Sequence, residues 1–581
     1  MFESPRAPWV IVAIALAVAL PSIQLGFFND DHAFRAALAG TLPGAPPAWD
    51  LYRFATGDEE ANRELVSVGV FPWWTAPTFK LHLVRPLAGL LFALDERLFG
   101  ASSLGHHLHS IAWYLALVAV VGWVLRAIVS RSTANLAMLV YALSAAHFFP
   151  YAWISCRHMI VAALPALLGL GAYLRDGTPG RKRGRWLFAL GLAAGLAGGE
   201  SALGVAAFPV ALALVGERVR TKTALVERAR SSLPSLAPAL AVVAAYLVLY
   251  VAIGGGAKDC EGYVDPFSGP ARFAAKAAVL LPVMLANAFF GVPAEVANIV
   301  PAAPLAVVAT IGVAVVAALA RACVSAMSDD ERAALPWLLV GATLALLPAL
   351  GGFPGARILL VPNVGFALLL AVVVRRGLGG RRVVVRAGAG LLAVIHLVLA
   401  PLMGLGNASM NARISREVET IAASAEIGPG RPRVFVIGVS DPEVTMYVQA
   451  ASAATEPEKL SCWSVMSASR QTHTITRTSE VDLVLRPNEG PMLRGPFESL
   501  YRAEHVPFRV GDEARQCGAT YRVTAVDAGR PTEVEIHFDR SLDDPSIRLL
   551  AWRDGRLKAL SPPRIGESVE IGWAPGPLGA F

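Results

Sequence analysis

The sequence predicts a polytopic α-helical membrane protein of about 11 transmembrane helices, with a soluble, β-rich extracytoplasmic domain at its C-terminal end. Three observations carry that prediction. Of 581 residues, 55% are hydrophobic and only 16% charged, with a mean hydropathy of +0.52, a balance foreign to soluble domains. Apolar stretches approaching the ~20 residues a bilayer-crossing helix needs recur as far as residue 405. Beyond it, short β-branched runs alternate with turn residues.

The spans are read at 8–27, 106–126, 134–150, 157–174, 186–199, 200–216, 234–253, 305–322, 335–351, 357–374 and 384–405. Arg6 followed by an apolar run resembles a secretory signal, but the run is longer than a usual signal core and flows into an acidic loop. It therefore reads as an uncleaved span. The net charge of +7 sits mostly in short loops. These carry Arg175, Arg181, Lys182, Arg183 and Arg185; then Arg218, Arg220, Lys222, Arg228 and Arg230; then Arg375, Arg376, Arg381, Arg382 and Arg386. The positive-inside rule makes all three loops cytoplasmic, so the charge reports topology and not a nucleic-acid partner. Between the second and third loops the chain must cross an even number of times, and five apolar stretches compete. The segment 276–291, short and interrupted by Pro282 and Asn287, is expected to lie at the outer surface or re-enter from it. Eleven crossings from a cytoplasmic N-terminus then place the C-terminal region outside.

Residues 28–105, rich in Trp, Pro and charge, form one external loop, and 254–304 form another that opens on Gly254-Gly255-Gly256. The division falls between a membrane domain at 1–405 and a β-rich domain at 406–581. Within the latter, 410–426 has helical periodicity through Ile414, Val418, Ile421 and Ala422. Strands are expected at 434–437, 481–485, 521–526 and 534–538, the last two joined by 527–533 as a hairpin connection. Cys462 and Cys517 both lie in this domain, where an oxidising compartment permits a disulfide and two thiols fit the sequence as well. They lack the spacing of metal ligands. No inverted repeat is visible, which counts against a transporter.

The ionisable residues at span ends converge on one side. Asn29-Asp30-Asp31-His32 follows the first span. His106, His107, Arg157, His158, Glu200 and Arg357 all open or join spans at the same, external level. Each has a plainer reading. Arg157 and Arg357 fit interfacial anchors; Glu200 fits a helix start or an arginine partner; His106, His107 and His109 fit a polar helix end; Asp30 and Asp31 fit helix caps. Together they supply an external carboxylate able to take a proton from a hydroxyl and arginines able to hold a phosphate. Two acids are too few for a dedicated metal site and Mg²⁺ tolerates mostly water, so a divalent metal stays open without support from the sequence, and no tightly bound cofactor is expected.

The ordered motifs resemble GT-C-type glycosyltransferases, specifically the transmembrane O-mannosyltransferases and their bacterial relatives. Asp30-Asp31 is similar to their acidic pair, and Arg85-Pro86-Leu87, Ala93-Leu94-Asp95 and Leu98-Phe99-Gly100 to their loop helix. Gly105-His106-His107, Ser155-Cys156-Arg157, Glu200-Ser201-Ala202, Gly262-Tyr263 with Asp265-Pro266, and Arg357 through Phe366 follow in the same order. Gly199 stands where the family has lysine, Ser110 and Tyr114 where members often have Asn and a second His, and the TPR repeats of many relatives are replaced by the β-rich tail. The resemblance covers about 1–405. It implies an inverting hexosyltransferase that takes a polyprenyl-phosphate-linked sugar, in contact with membrane lipid, to a hydroxyl of a protein or glycan acceptor. The setting implied is the outer face of a bacterial cytoplasmic membrane. Asp30 or Asp31 would be the base, with Asp30 preferred; Arg357, Arg157 and Arg85 would hold the lipid phosphate, and His107 and Glu200 would shape the pocket. Two other readings stay open: a flippase for lipid-linked glycans, and a non-catalytic anchor for an external glycan-binding domain.

Overall fold

The computed structural model describes residues 2–176, 183–216, 225–267, 269–298 and 300–579; Arg181, Lys182, Arg218, Arg220 and Lys222 lie outside them. The chain separates into two units. One comprises Met1–Gly26, Val84–Ile253 and Pro266–Ala412, the other Phe27–Leu83, Gly254–Asp265 and Arg413–Phe581.

The first unit is helical. Among the described residues, eight helices are long and apolar enough to cross a bilayer, and nine if the bent pair Arg131–Ala142 and Ala145–Ala152 counts as one span. The polytopic class is as expected, but the count of eleven is not reached. The segments read as spans at 186–199, 200–216 and 357–374 form helices of only 16, 13 and 16 residues, Arg183–Gly198, Leu203–Val215 and Asn363–Leu378. Their apolar runs are interrupted by short 3-10 turns at Glu200–Ala202 and Ala356–Leu359. The first of these helices is held by close backbone approach. A Cβ on Gly191 would lie 2.4 Å from the Pro165 carbonyl oxygen, and one on Gly195 2.5 Å from that of Ala162. Small residues at this spacing let two helices touch where lipid offers no hydrophobic drive.

The segment at 276–291 also departs from expectation. It belongs to a 21-residue helix, Pro270–Phe290, as long as the accepted spans. Pro270 occupies the first turn, where no intrahelical donor is lost. Asn287 does not break the helix; its amide donates to the Val292 carbonyl beyond the left-handed cap at Gly291.

The second unit holds all the strands found among the described residues: β1 (Arg53–Thr56), β2 (Lys80–His82), β3 (Gly256–Lys258), β4 (Arg433–Ile437), β5 (Cys462–Val465), β6 (His473–Arg477), β7 (Asp482–Pro487), β8 (Glu513–Gln516), β9 (Ala519–Asp527), β10 (Arg530–Phe538), β11 (Ile547–Arg553), β12 (Arg556–Ala559) and β13 (Ser568–Ile571). They form sheets in the orders β1-β2-β3, β13-β6-β7-β10-β9-β8 and β12-β11-β4-β5. Alternate residues Val534, Ile536 and Phe538 of β10 point inward, as a half-buried strand requires. The β9–β10 hairpin is tighter than the sequence suggested. Asp527 pairs with Arg530 across a two-residue turn, Ala528-Gly529, both at positive φ, and the extra residues are absorbed by a bulge near Pro531. Cys462 and Cys517 are joined as a disulfide.

The segment 27–83 is part of this β-rich core. Trp73 stacks on Tyr521 with centroids 5.1 Å apart, and its indole donates to the Met466 carbonyl at 3.0 Å. Gln516 donates to the Phe71 carbonyl at 2.6 Å. Residues 254–265 add β3 to β2, and the Glu261 amide donates to the Ser499 carbonyl.

Candidate functional site

Phe28 through Asp31 make a tight turn in which the Asp31 amide donates to the Phe28 carbonyl at 3.1 Å. Asn29 sits at φ +50° and ψ −121°, the conformation of the first central residue of a type II′ turn, which glycine normally fills. Strain of this kind persists only where surrounding structure holds it. Here the holding bonds are visible. The Asn29 amide, oriented to donate through Nδ2, reaches Glu443 Oε1 at 2.7 Å and Oε2 at 3.1 Å. Asp31 Oδ2 accepts the Phe28 backbone N–H at 3.0 Å, and the Asp31 side chain is wholly buried.

The two aspartates therefore differ. Asp31 fastens the turn. Asp30, first residue of the helix Asp30–Leu38, is only partly buried and lines a cavity within the same unit. Its Oδ1 accepts the hydroxyl of Tyr447 at 2.9 Å. Burial, and then the neighbouring Asp30 charge, push the Tyr447 phenol well above its ordinary pKa, so it stays a donor. Glu443 is likewise pushed well up, by burial first and then by the charges of Asp441 and Asp30. Asp441 is fixed by backbone donors, from Glu443 at 2.8 Å and Leu578 at 2.7 Å. Sequence reading missed Tyr447 and Glu443; the only local sign was Asp441-Pro442-Glu443, an acidic turn before an apolar run.

The other expected site residues lie in the first unit. Arg85, which precedes the helix Pro86–Phe99, grips Glu200 through both Nε, at 3.0 Å from Oε2, and Nη2. That is the arginine-partner reading of Glu200. Arg157, expected to hold the lipid phosphate, lies in a buried ion pair. Its side chain is 3% exposed and its Nη2 lies 2.6 Å from Oδ2 of the fully buried Asp95, so its charge is matched inside the protein. His109 completes this cluster. Trp113 Nε1, a donor only, reaches His109 Nε2 at 2.9 Å, so the His109 proton sits on Nδ1 and points at Asp95 Oδ1, 2.6 Å away. His107 is expected from the sequence to shape the pocket. It is wholly buried with Nε2 2.8 Å from the Gly26 carbonyl, tying the helix Ser103–Leu125 to the end of the first span rather than facing a pocket.

Arg357 is different. It is half-buried, lies 5.9 Å above the Trp153 ring and has no carboxylate within ion-pair distance among the described residues. The neighbouring carboxylate, Glu295, is taken up at 2.9 Å by the Ala356 backbone N–H. Of the three arginines expected to meet an anion, Arg357 is the one that makes no ion pair among the described residues.

These features define a multi-pass helical membrane protein carrying a β-rich unit. No family model matches the chain, and no curated protein is significantly similar to it. Among solved structures it is similar to the oligosaccharyltransferase of Archaeoglobus fulgidus tethered with an acceptor peptide, with TM-score 0.39 and 12% identity over 79% of this chain and 65% of that one. The archaeal enzyme AglB in complex with an inhibitory peptide and a dolichol-phosphate gives TM-score 0.41 at 12% identity, over 78% and 64%. ArnT from Cupriavidus metallidurans bound to undecaprenyl phosphate gives TM-score 0.32 at 13% identity, over 79% and 90%. The chain thus spans just under two thirds of the archaeal enzyme's length.

Proposed function

We propose that this chain is a GT-C-type glycosyltransferase that moves a sugar from a polyprenyl-phosphate donor to an acceptor hydroxyl on the outer face of a bacterial cytoplasmic membrane, with residues 413–581 outside. The observation that carries this reading is the division of labour in the acidic pair: Asp31 buried and fastening a strained turn, Asp30 accessible at a cavity and oriented by Tyr447. A carboxylate held in this way can act as a general base. Asp30 takes the proton of the acceptor hydroxyl while the acceptor oxygen bonds to the anomeric carbon. The bond from that carbon to the phosphate oxygen breaks, and polyprenyl phosphate leaves. A single displacement of this kind inverts the anomeric centre. Arg357, which makes no ion pair among the described residues, is the arginine suited to hold a phosphate as negative charge develops on it. Arg85 and Glu200 fix each other, and Arg157 and His107 keep their helices in place.

The test is mass spectrometry of envelope glycans and glycoproteins from a deletion strain complemented with wild type, Asp30→Asn or Asp31→Asn. The reading expects a modification that disappears in the deletion strain, returns with wild type and fails to return with Asp30→Asn. Normal modification with both variants, at normal expression, rejects it.

A further inference from the structure

The segment 573–579 runs back against the loop that precedes Glu443, all of it within the second unit. The Ala574 amide donates to the Gly438 carbonyl at 3.3 Å, Trp573 Nε1 to Ser440 Oγ at 2.9 Å, and Trp552 Nε1 to the Pro575 carbonyl at 3.0 Å. The last of these contacts is made by Asp441, which is buried. Its Oδ2 accepts the Leu578 N–H at 2.7 Å and its Oδ1 the Glu443 N–H at 2.8 Å. One buried carboxylate therefore ties the segment to the next turn of chain. Gly576 permits the approach, since a Cβ there would lie 2.5 Å from Asp441 Oδ2.

From Asp441 the contacts continue to the acidic turn. The Asp441 carbonyl accepts the Val444 and Thr445 amides at 3.1 and 3.0 Å as the π-helical turn Glu443–Tyr447 begins. Turns of this kind are rare and recur at functional sites. Both ends of this one meet the turn at Asn29 and Asp30. Glu443 takes the Asn29 amide at 2.7 and 3.1 Å, and Tyr447 donates to Asp30 Oδ1 at 2.9 Å. Asn29 stands at φ +50°, so its conformation depends on what grips it. We infer that Asp441 is a positioning residue for the transfer, joining the segment 573–579 to the turn that aims Asp30. It acts through Glu443 and Asn29 on one side and through Leu578 on the other. The inference rests on the glycosyltransferase reading above for what Asp30 does; the coupling itself consists of hydrogen bonds within the second unit.

Hydrogen exchange reads the coupling without donor or acceptor. In the full chain in lipid nanodiscs, the amides of Phe28, Asp31 and His32 report on the turn, where they are bonded to Asp31 Oδ2, the Phe28 carbonyl and the Asn29 carbonyl. The β9–β10 hairpin serves as the internal control. Asp441→Asn leaves one oxygen for two donors and turns an NH2 group against the other. Gly576→Ala pushes the segment off Asp441 and keeps the carboxylate. In both variants exchange at 28–32 should rise about 10-fold or more, with the hairpin unchanged. Envelope modification should fall in both at normal expression. A segment that merely closes the β-rich unit would exchange faster at 573–579 and leave 28–32 as in wild type; that result in either variant overturns the inference. If it comes while Asp30→Asn still abolishes modification, the transferase reading stands and only the positioning role falls. Faster exchange at 28–32 in both variants, in a protein whose deletion strain loses no glycan, supports the coupling and removes the transfer.

Discussion

Asp30 and Asp31 are adjacent carboxylates with opposite fates. Asp30→Asn should lower transfer roughly 10²–10⁴-fold, the usual loss for a general base, while thermal unfolding stays close to wild type. Asp31→Ala should do the reverse in kind, since it strips the acceptor from the buried Phe28 N–H and costs about 1–3 kcal/mol, read as a lower unfolding midpoint. Tyr447→Phe tests the orienting bond. The phenol donates to the charged form of Asp30, so its loss raises the Asp30 pKa and moves the acid limb of the pH–rate profile upward. A profile unchanged in Tyr447→Phe would rule out that bond as an influence on the base. The acidic pair itself stands in the sequence, but the difference between its members does not. It depends on Tyr447, a residue 417 positions away.

At the scale of elements, Asp95, Arg157 and His109 bind the helices Pro86–Phe99 and Ser103–Leu125 to the turn Ser155–Arg157. Asp95→Ala leaves a buried guanidinium unmatched and should destabilise the protein by about 3–5 kcal/mol. The double change Asp95→Leu with Arg157→Leu removes both charges and should recover much of that loss, as measured by thermal unfolding in detergent. If the double variant is no better than the single, Arg157 is needed for more than this pair. Elements were legible where periodicity is local: the helix through Ile414, Val418, Ile421 and Ala422 buries that face, and the four expected strands form. Span ends were not. Helix Pro270–Phe290 looked short because Asn287 reads as a breaker, whereas its side chain bonds past the helix end. The three short helices have span-like apolarity and stop at backbone turns that hydropathy does not register.

For the whole molecule, acid should weaken the β-rich unit. His32 and His473 are buried there, and burial holds the pKa of each down to about 4 from the ordinary 6.5. Unfolded, both take protons below 6.5; folded, they do not until about 4. Their stabilising effect is therefore complete above pH 6.5 and is lost as pH falls toward 4, by at most about 3 kcal/mol per histidine. Unfolding midpoints across this range should fall more gently in His473→Gln than in wild type. Truncation after Ala412 should also fail to give a clean membrane fragment. Trp73, Trp74 and Phe79 bury themselves in the core they share with Val436, Trp463 and Tyr521, and would be left bare. Aggregation or rapid proteolysis of the truncated chain is the expected result.

By itself the sequence determined that this chain is polytopic with a β-rich C-terminal portion, because bilayer-length apolar runs and alternating strands are local properties of composition and period. It also placed the acids and arginines along the chain. Tertiary structure alone decided which aspartate stays accessible, which arginines are neutralised by Glu200 and Asp95, and that residues 27–83 help build the β-rich core. Burial and charge pairing arise between groups far apart in the chain, so no window of sequence contains them.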